Sequence, residues 1–169
     1  MTAANLTVEA EDLEIENGLT FDKVLLRGSG VSYDPVSRRL SVPSAGELEA
    51  FVSAQRIADF AAASPPEKVT ELDVHLGEGE VRVTARVQAL VSVRVEATGR
   101  LETVDGAKIE FRATQVKVAG IGAPGGLVDA VLAEVNPLLD LSGLAIPVRI
   151  TGVIVTPEGI RLTAAVGPI

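Results

Sequence analysis

The run Val81-Arg82-Val83-Thr84-Ala85-Arg86-Val87-Gln88-Ala89-Leu90-Val91-Ser92-Val93-Arg94-Val95-Glu96-Ala97 is apolar at every odd position. Its even positions are polar or charged except Leu90. A period of two places one set of side chains on a buried face and the other in water, which is the signature of a half-buried antiparallel sheet. The run is longer than a usual strand, so it is either one long bent strand or a hairpin turning between Gln88 and Ser92. Working outward, Leu72, Val74 and Leu76 alternate with Glu71, Asp73 and His75, and Gly77-Glu78-Gly79 turns the chain into the long run. Downstream, Val104-Asp105-Gly106-Ala107 supplies a hairpin turn, Asp-Gly being suited to positive φ.

Ala107, Ile109, Phe111 and Ala113 alternate until the phase slips at Thr114-Gln115, after which Val116 and Val118 resume. A slip of one residue predicts a β-bulge, which bends the strand. Val148 and Ile150 slip in the same way at Gly152 before Val153 and Val155, and Thr156-Pro157-Glu158-Gly159 turns the chain into Ile160, Leu162, Ala164 and Val166. Near the start, Leu6, Val8 and Ala10 shift phase to Leu13 and Ile15, with a turn at Asn17-Gly18. Two helices are expected among the strands. The first opens at the capping box Ser44-Ala45-Gly46-Glu47 and ends before Ser64-Pro65-Pro66. On a helical wheel Leu48, Ala50, Phe51, Ala54, Ile57, Ala58 and Ala61 cover a wide arc, leaving Val52 and Phe60 among Glu49, Arg56 and Asp59. The second starts near Pro124 and carries a stripe of Leu127, Val128, Val131, Leu132, Val135, Leu138 and Leu139, ended or kinked at Asn136-Pro137. The expected fold is α+β: a long, curved, bulged antiparallel sheet wrapped around two amphipathic helices, as one domain over residues 1–169.

Composition narrows the function. The chain of 169 residues is 47% hydrophobic and 22% charged, with a mean hydropathy of +0.33, which excludes a disordered chain. With no Cys and one His, disulfides, thiolate chemistry, zinc fingers and Cys/His pairs are excluded. A net charge of −8 and few aromatic residues argue against nucleic-acid binding. The greasy region from Val116 to Ile150 is broken by Asp129, Glu134, Asp140 and prolines, so it is not expected to span a bilayer. The N-terminus shows no leader pattern, so a cytoplasmic location is the reading from sequence.

No catalytic residue, metal site or cofactor emerges. Gly120-Ile121-Gly122-Ala123-Pro124-Gly125 has the GxGxxG spacing that brings a backbone close to a pyrophosphate, and Asp140 follows near the expected ribose ligand. The incoming strand belongs to antiparallel hairpins, however, and Leu138-Leu139-Asp140-Leu141-Ser142-Gly143 is too short and glycine-punctuated for a second parallel strand. A plain strand-to-helix loop is the preferred reading. His75 falls on the polar phase of its strand beside Asp73, without a nucleophile, and reads as a surface histidine. Glu9, Glu11, Asp12, Glu14 and Glu16 read as the solvated edge of a first strand, not a calcium loop. Arg82, Arg86, Arg94, Arg100, Lys108 and Arg112 share the wet face with Glu80, Glu96, Glu102 and Glu110, a mixture suited to cross-strand pairing.

What remains is surplus apolar surface on helices and sheet, either ordinary core or the wall of a groove. The stretch from Ser44 to Val166 resembles the LmeA-like family of bacterial phospholipid-binding proteins. The landmarks are the first helix before Ser64-Pro65-Pro66, the alternation around Val81 to Val95, Val104-Asp105-Gly106 followed by Ile109-Glu110-Phe111, the second helix, Ala145-Ile146-Pro147-Val148, and Thr151-Gly152-Val153-Ile154-Val155 with Glu158-Gly159-Ile160-Arg161-Leu162. The resemblance implies a tubular lipid-binding fold, phospholipid acyl chains as partners, no catalytic motif, and export to the cell envelope. The expected function is non-enzymatic lipid binding in an apolar groove between the helices and the concave sheet. Leu48, Phe51, Val52, Ile57, Leu127, Val131 and Leu132 are the expected wall or mouth, with Val52 and Phe60 as a rim for peripheral membrane contact. The alternative is a protein-interaction or scaffold module without a cavity. Oligomeric state and headgroup are left open by the residues.

Overall fold

The computed structural model describes residues 2–15, 18–37, 39–41, 45–63, 65–88, 91–119, 126–143 and 147–167. In chain order the elements are β1 (Thr2–Glu14), β2 (Thr20–Asp34), β3 (Arg39–Ser41), β4 (Gly46–Ser53), α1 (Ala54–Ala63), β5 (Val69–Leu76), β6 (Val81–Gln88), β7 (Ser92–Val104), β8 (Lys108–Ala119), α2 (Gly126–Val135), β9 (Leu139–Asp140), β10 (Val148–Thr156) and β11 (Gly159–Val166). They form two antiparallel sheets. One has the order β1-β2-β4-β11-β10 with β3 added on β2, and the other has the order β5-β6-β7-β8-β9.

The decisive run folds as a hairpin: β6 and β7 pair from Val81↔Gly99 to Gln88↔Ser92, so the chain reverses between them. The side chains that seal the inner face are the odd ones, Val81, Ala85, Val87, Val93, Val95 and Ala97. The β7–β8 turn places Asp105 at φ 52° and Gly106 at φ 68°, the positive pair that a twisted two-residue hairpin requires. Thr156 pairs with Gly159 across Pro157-Glu158. The bulge expected at Thr114 is present, for Thr98 pairs with Gln115 and Gly99 with Ala113. A second falls at Thr151, between the pairs Ile150↔Ala164 and Gly152↔Thr163. These bends curl the sheets. β1, by contrast, keeps an uninterrupted register on β2 through its phase change, with Asp12 at φ 53°.

Two inner clusters tie the sheets together. Phe21, Ala50, Val52, Ile109, Leu139, Ile150 and Leu162 form one; Val81, Ala97, Phe111 and Val155 form the other, and Leu101 and Ile160 touch both. Turns of the second sheet also close on β10: Ile150 N–H donates to Gly106 O at 2.7 Å, and Gly79 N–H donates to Val155 O at 2.9 Å.

The first helix is shorter than its wheel suggests. Residues 46–53 form β4, held between β2 (Leu26↔Leu48) and β11 (Ala164↔Leu48). Leu48, Ala50 and Val52 alternate inward, which is why they spread over so wide an arc when wound as a helix. The expected start at Ser44 lies outside the described residues. The actual cap is Ser53, whose Oγ accepts from Arg56 N–H at 3.4 Å. α1 then lies mainly on β5, turning Ile57 and Ala61 inward and Gln55 and Asp59 outward. The expected architecture holds in its coarse form, a curled, mostly antiparallel β protein carrying helical segments. A centre built on two amphipathic helices is not established by it, because half of the first expected helix is strand and Leu132 is the residue of α2 packed on a described core cluster.

Candidate functional site

Along β8 the inner face changes character. Phe111 is 4% exposed, Ala113 is half-buried, and then Val116 and Val118 are 41% and 39% exposed. Their cross-strand partners on β7, Ala97 and Val95, are buried. The Thr114 bulge keeps Val116 and Val118 on the same face as Phe111, so one continuous apolar surface runs from a sealed half into an open half. The reason for the opening is local. β9 reaches only Lys108 and Ile109 of β8, Leu138 N–H donates to Ile109 O at 2.8 Å, and Leu141 N–H donates to Ala107 O at 2.8 Å. The Asn136 side chain extends this cover by one step: Phe111 N–H donates to its Oδ1 at 2.9 Å and its Nδ2 donates to Phe111 O at 3.0 Å. Residues 113–119 of β8 then run on beyond the reach of β9, and α2 precedes these contacts in the chain, with Leu132 on the second cluster beside Leu138. Beyond Phe111 the apolar face of β8 is therefore exposed at Val116 and Val118, beside the buried Val95 and Ala97 of β7.

Two hollows lie elsewhere on the molecule, one largely polar and one largely apolar in its lining. A cleft of about 740 Å³ beside α1 is lined by Gly18, Thr20, Ser53, Gln55, Arg56, Asp59, Phe60 and Ala63. Arg56 crosses it, pairing with Asp12 and, through Nε at 3.0 Å, with Asp22. Asp22 also accepts from Ser53 N–H at 2.6 Å, and Gln55 Nε2 donates to Asp59 at 2.8 Å. The charges of this cleft satisfy one another. A smaller hollow of about 380 Å³ lies among Ala45, Leu141, Ser142, Pro147, Val148, Arg149, Ala165 and Gly167. Beside it the Ser142 hydroxyl and N–H hold the Asp140 carboxyl below its ordinary range, with a smaller contribution from the Lys108 charge.

The expected site residues are dispersed by the strand at 46–53. Val52, 3% exposed, is core on β4 and cannot serve as a membrane-touching rim. Leu48 and Ile57 pack on the same cluster. Phe51, out of phase with Val52, faces the other side of β4, where its ring lies 5.7 Å from the Arg161 guanidinium; it does not share a wall with Val52. Phe60 lines the polar cleft. Leu132 packs on the second cluster. Leu127 and Val131 belong to α2, but their side chains fall outside the described ones. The exposed pair Val116 and Val118 is not among the site residues expected from the sequence, although resumption of the alternation after Thr114 places both on the inner face.

The other motifs are also located. Gly120 to Gly125 lie outside the described residues. His75 is exposed on β5, with Nε2 3.4 Å from Asp73. Glu9, Glu11, Asp12 and Glu14 stand on β1, the edge of its sheet as expected, with Glu9 paired to Lys23 at 2.9 Å; Glu16 is outside the described residues. On the wet face Arg112 pairs with Glu102 at 2.8 Å and Arg86 with Glu71 at 2.9 Å. Among the described residues no group of acidic, His or Cys side chains is arranged to hold a metal ion, and no helix is long and apolar enough to cross a membrane.

A family model described as LmeA-like phospholipid-binding matches residues 3–165. No curated protein and no solved structure matches the chain.

Proposed function

The chain belongs to the LmeA-like phospholipid-binding family, and from that premise we propose that it is a single-domain, non-enzymatic binder that holds phospholipid acyl chains in a trough between the inner face of β7–β8 and α2. The observation that carries this reading is the opening of an otherwise buried apolar face at Val116 and Val118. Aliphatic walls with few polar groups suit hydrocarbon. Each methylene removed from water contributes about 0.8 kcal/mol, so one long chain supplies enough for tight retention. Leu132 forms part of the helix side of the trough, and Leu127 and Val131 share its helical stripe in the sequence. Leu48, Val52 and Ile57 fill the neighbouring core, where the inner end of the trough stops.

Native mass spectrometry and organic extraction of protein purified without detergent test the proposal. A phospholipid bound in defined stoichiometry is expected, with loss on Val118→Glu. Bare polypeptide, together with no uptake from lipid vesicles, would leave the alternative of a protein-interaction module.

A further inference from the structure

Two stretches of this acidic chain carry no acidic residue of their own. From Val81 to Val95 the charged residues are Arg82, Arg86 and Arg94, and from Ala113 to Val128 the charged residue is Lys117, in a chain of net charge −8. The fold brings the ends of these stretches together, because Arg94 pairs in register with Ala119 and Val95 with Val118. Arg86 lies directly opposite Arg94. Like charges facing each other across a ladder oppose folding unless something neutralises them. Glu71 answers Arg86, at 2.9 Å, and Glu96 lies across from Lys117; among the described residues no carboxylate forms an ion pair with Arg94. At the same end Val91, 58% exposed, stands at the hairpin tip, roughly 10 Å along the strand from Arg94. Apart from Val116 and Val118 of β8, the other large exposed apolar side chains among the described residues have different surroundings. Val8 and Leu13 stand among the acids of β1, Val36 is in a turn beside Asp34, and Ile154 is on β10.

We propose that the β6–β7 hairpin end, with Val91 at its tip and Arg86, Arg94 and Lys117 on the flanking strands, docks the protein on an anionic bilayer. Apolar tip and cationic flank match the two layers of a membrane interface, acyl boundary and phosphate headgroup. The docked end is also the open end of the trough, so lipid would pass between bilayer and protein without crossing water. This inference rests on the lipid-binding reading but is separable from it.

The test is co-sedimentation with vesicles of phosphatidylcholine alone and of equal parts phosphatidylcholine and phosphatidylglycerol. Wild type is expected to bind the anionic vesicles preferentially, and less as salt is raised. Arg94→Glu with Lys117→Glu, and separately Val91→Asp, should each lower that partitioning by about tenfold or more, while Val36→Asp leaves it unchanged. Circular dichroism melts identify any variant that fails to fold, and Val91→Ser then replaces Val91→Asp. Indifference of the wild type to phosphatidylglycerol, or wild-type binding by folded tip variants, overturns the proposal. Extracting lipid from the same preparations separates the two readings: tip variants that keep bound lipid yet lose the vesicles support docking, and absence of lipid from every preparation counts against the trough alone.

Discussion

A Cβ on Gly99 would lie 2.0 Å from the carbonyl oxygen of Arg112 and 2.8 Å from the Cα of Ala113. Both atoms are backbone, so no side chain can move aside. The bulge at Thr114 produces this approach, and the missing side chain at Gly99 permits it. Gly159 is similar: its Cβ would meet Val52 O at 2.3 Å and the Phe51 ring at 2.7 Å. Gly126, at the start of α2, has nothing within 4 Å. Alanine substitutions should therefore separate in urea titrations. Gly99→Ala and Gly159→Ala are each expected to lose about 3 kcal/mol, the upper range for overpacking. Gly126→Ala should be neutral or gain up to about 1 kcal/mol from the restricted unfolded chain. A Gly99→Ala protein as stable as wild type would show that the bulge is not held where the register puts it.

At the scale of elements, an asparagine side chain stands in for a strand. Asn136 presents an acceptor and a donor to Phe111 just where β9 stops, so the β8 edge is covered one step beyond its last backbone partner. Asn136→Ala leaves both Phe111 groups without that partner and is expected to cost about 1–3 kcal/mol, read as a fall in Tm of several degrees for a domain of this size. Asn136→Asp, which retains only the acceptor, should fall between. Equal melting of all three would mean that water satisfies the edge. Local elements of this kind were largely legible in the sequence: Asp105-Gly106, Pro157-Glu158 and the Thr114 slip each declare a turn or bulge through neighbouring residues alone. β4 was not, because Leu48-Glu49-Ala50-Phe51-Val52 satisfies both a wide helical arc and a period of two. What decides between them is hydrogen bonding to β2 and β11, whose residues lie far away in the chain. The site was half legible for the same reason. The stripe containing Leu132 is a local pattern, but the exposure of Val116 and Val118 depends on how short β9 is.

At the scale of the molecule, the accessible surface is 10198 Å², whereas a compact chain of 17.5 kDa is expected to show about 7,900 Å². Among the described residues the largest side chains that are fully buried are the valines Val87 and Val93. We read part of this excess as the apolar face exposed at Val116 and Val118. A lipid bound as proposed, against Val116 and Val118, would supply an apolar partner and stabilise the folded state by mass action, by about 2.7 kcal/mol at a free concentration a hundredfold above Kd. For a domain of this size that corresponds to a rise in Tm of roughly 5–10 °C. Delipidated protein should therefore melt lower than protein as purified, regain its Tm when phospholipid is restored, and bind an apolar dye only in the delipidated form. Identical melting with and without lipid would mean that the polypeptide completes its own core, and Val116 and Val118 would then be ordinary exposed valines on a strand edge.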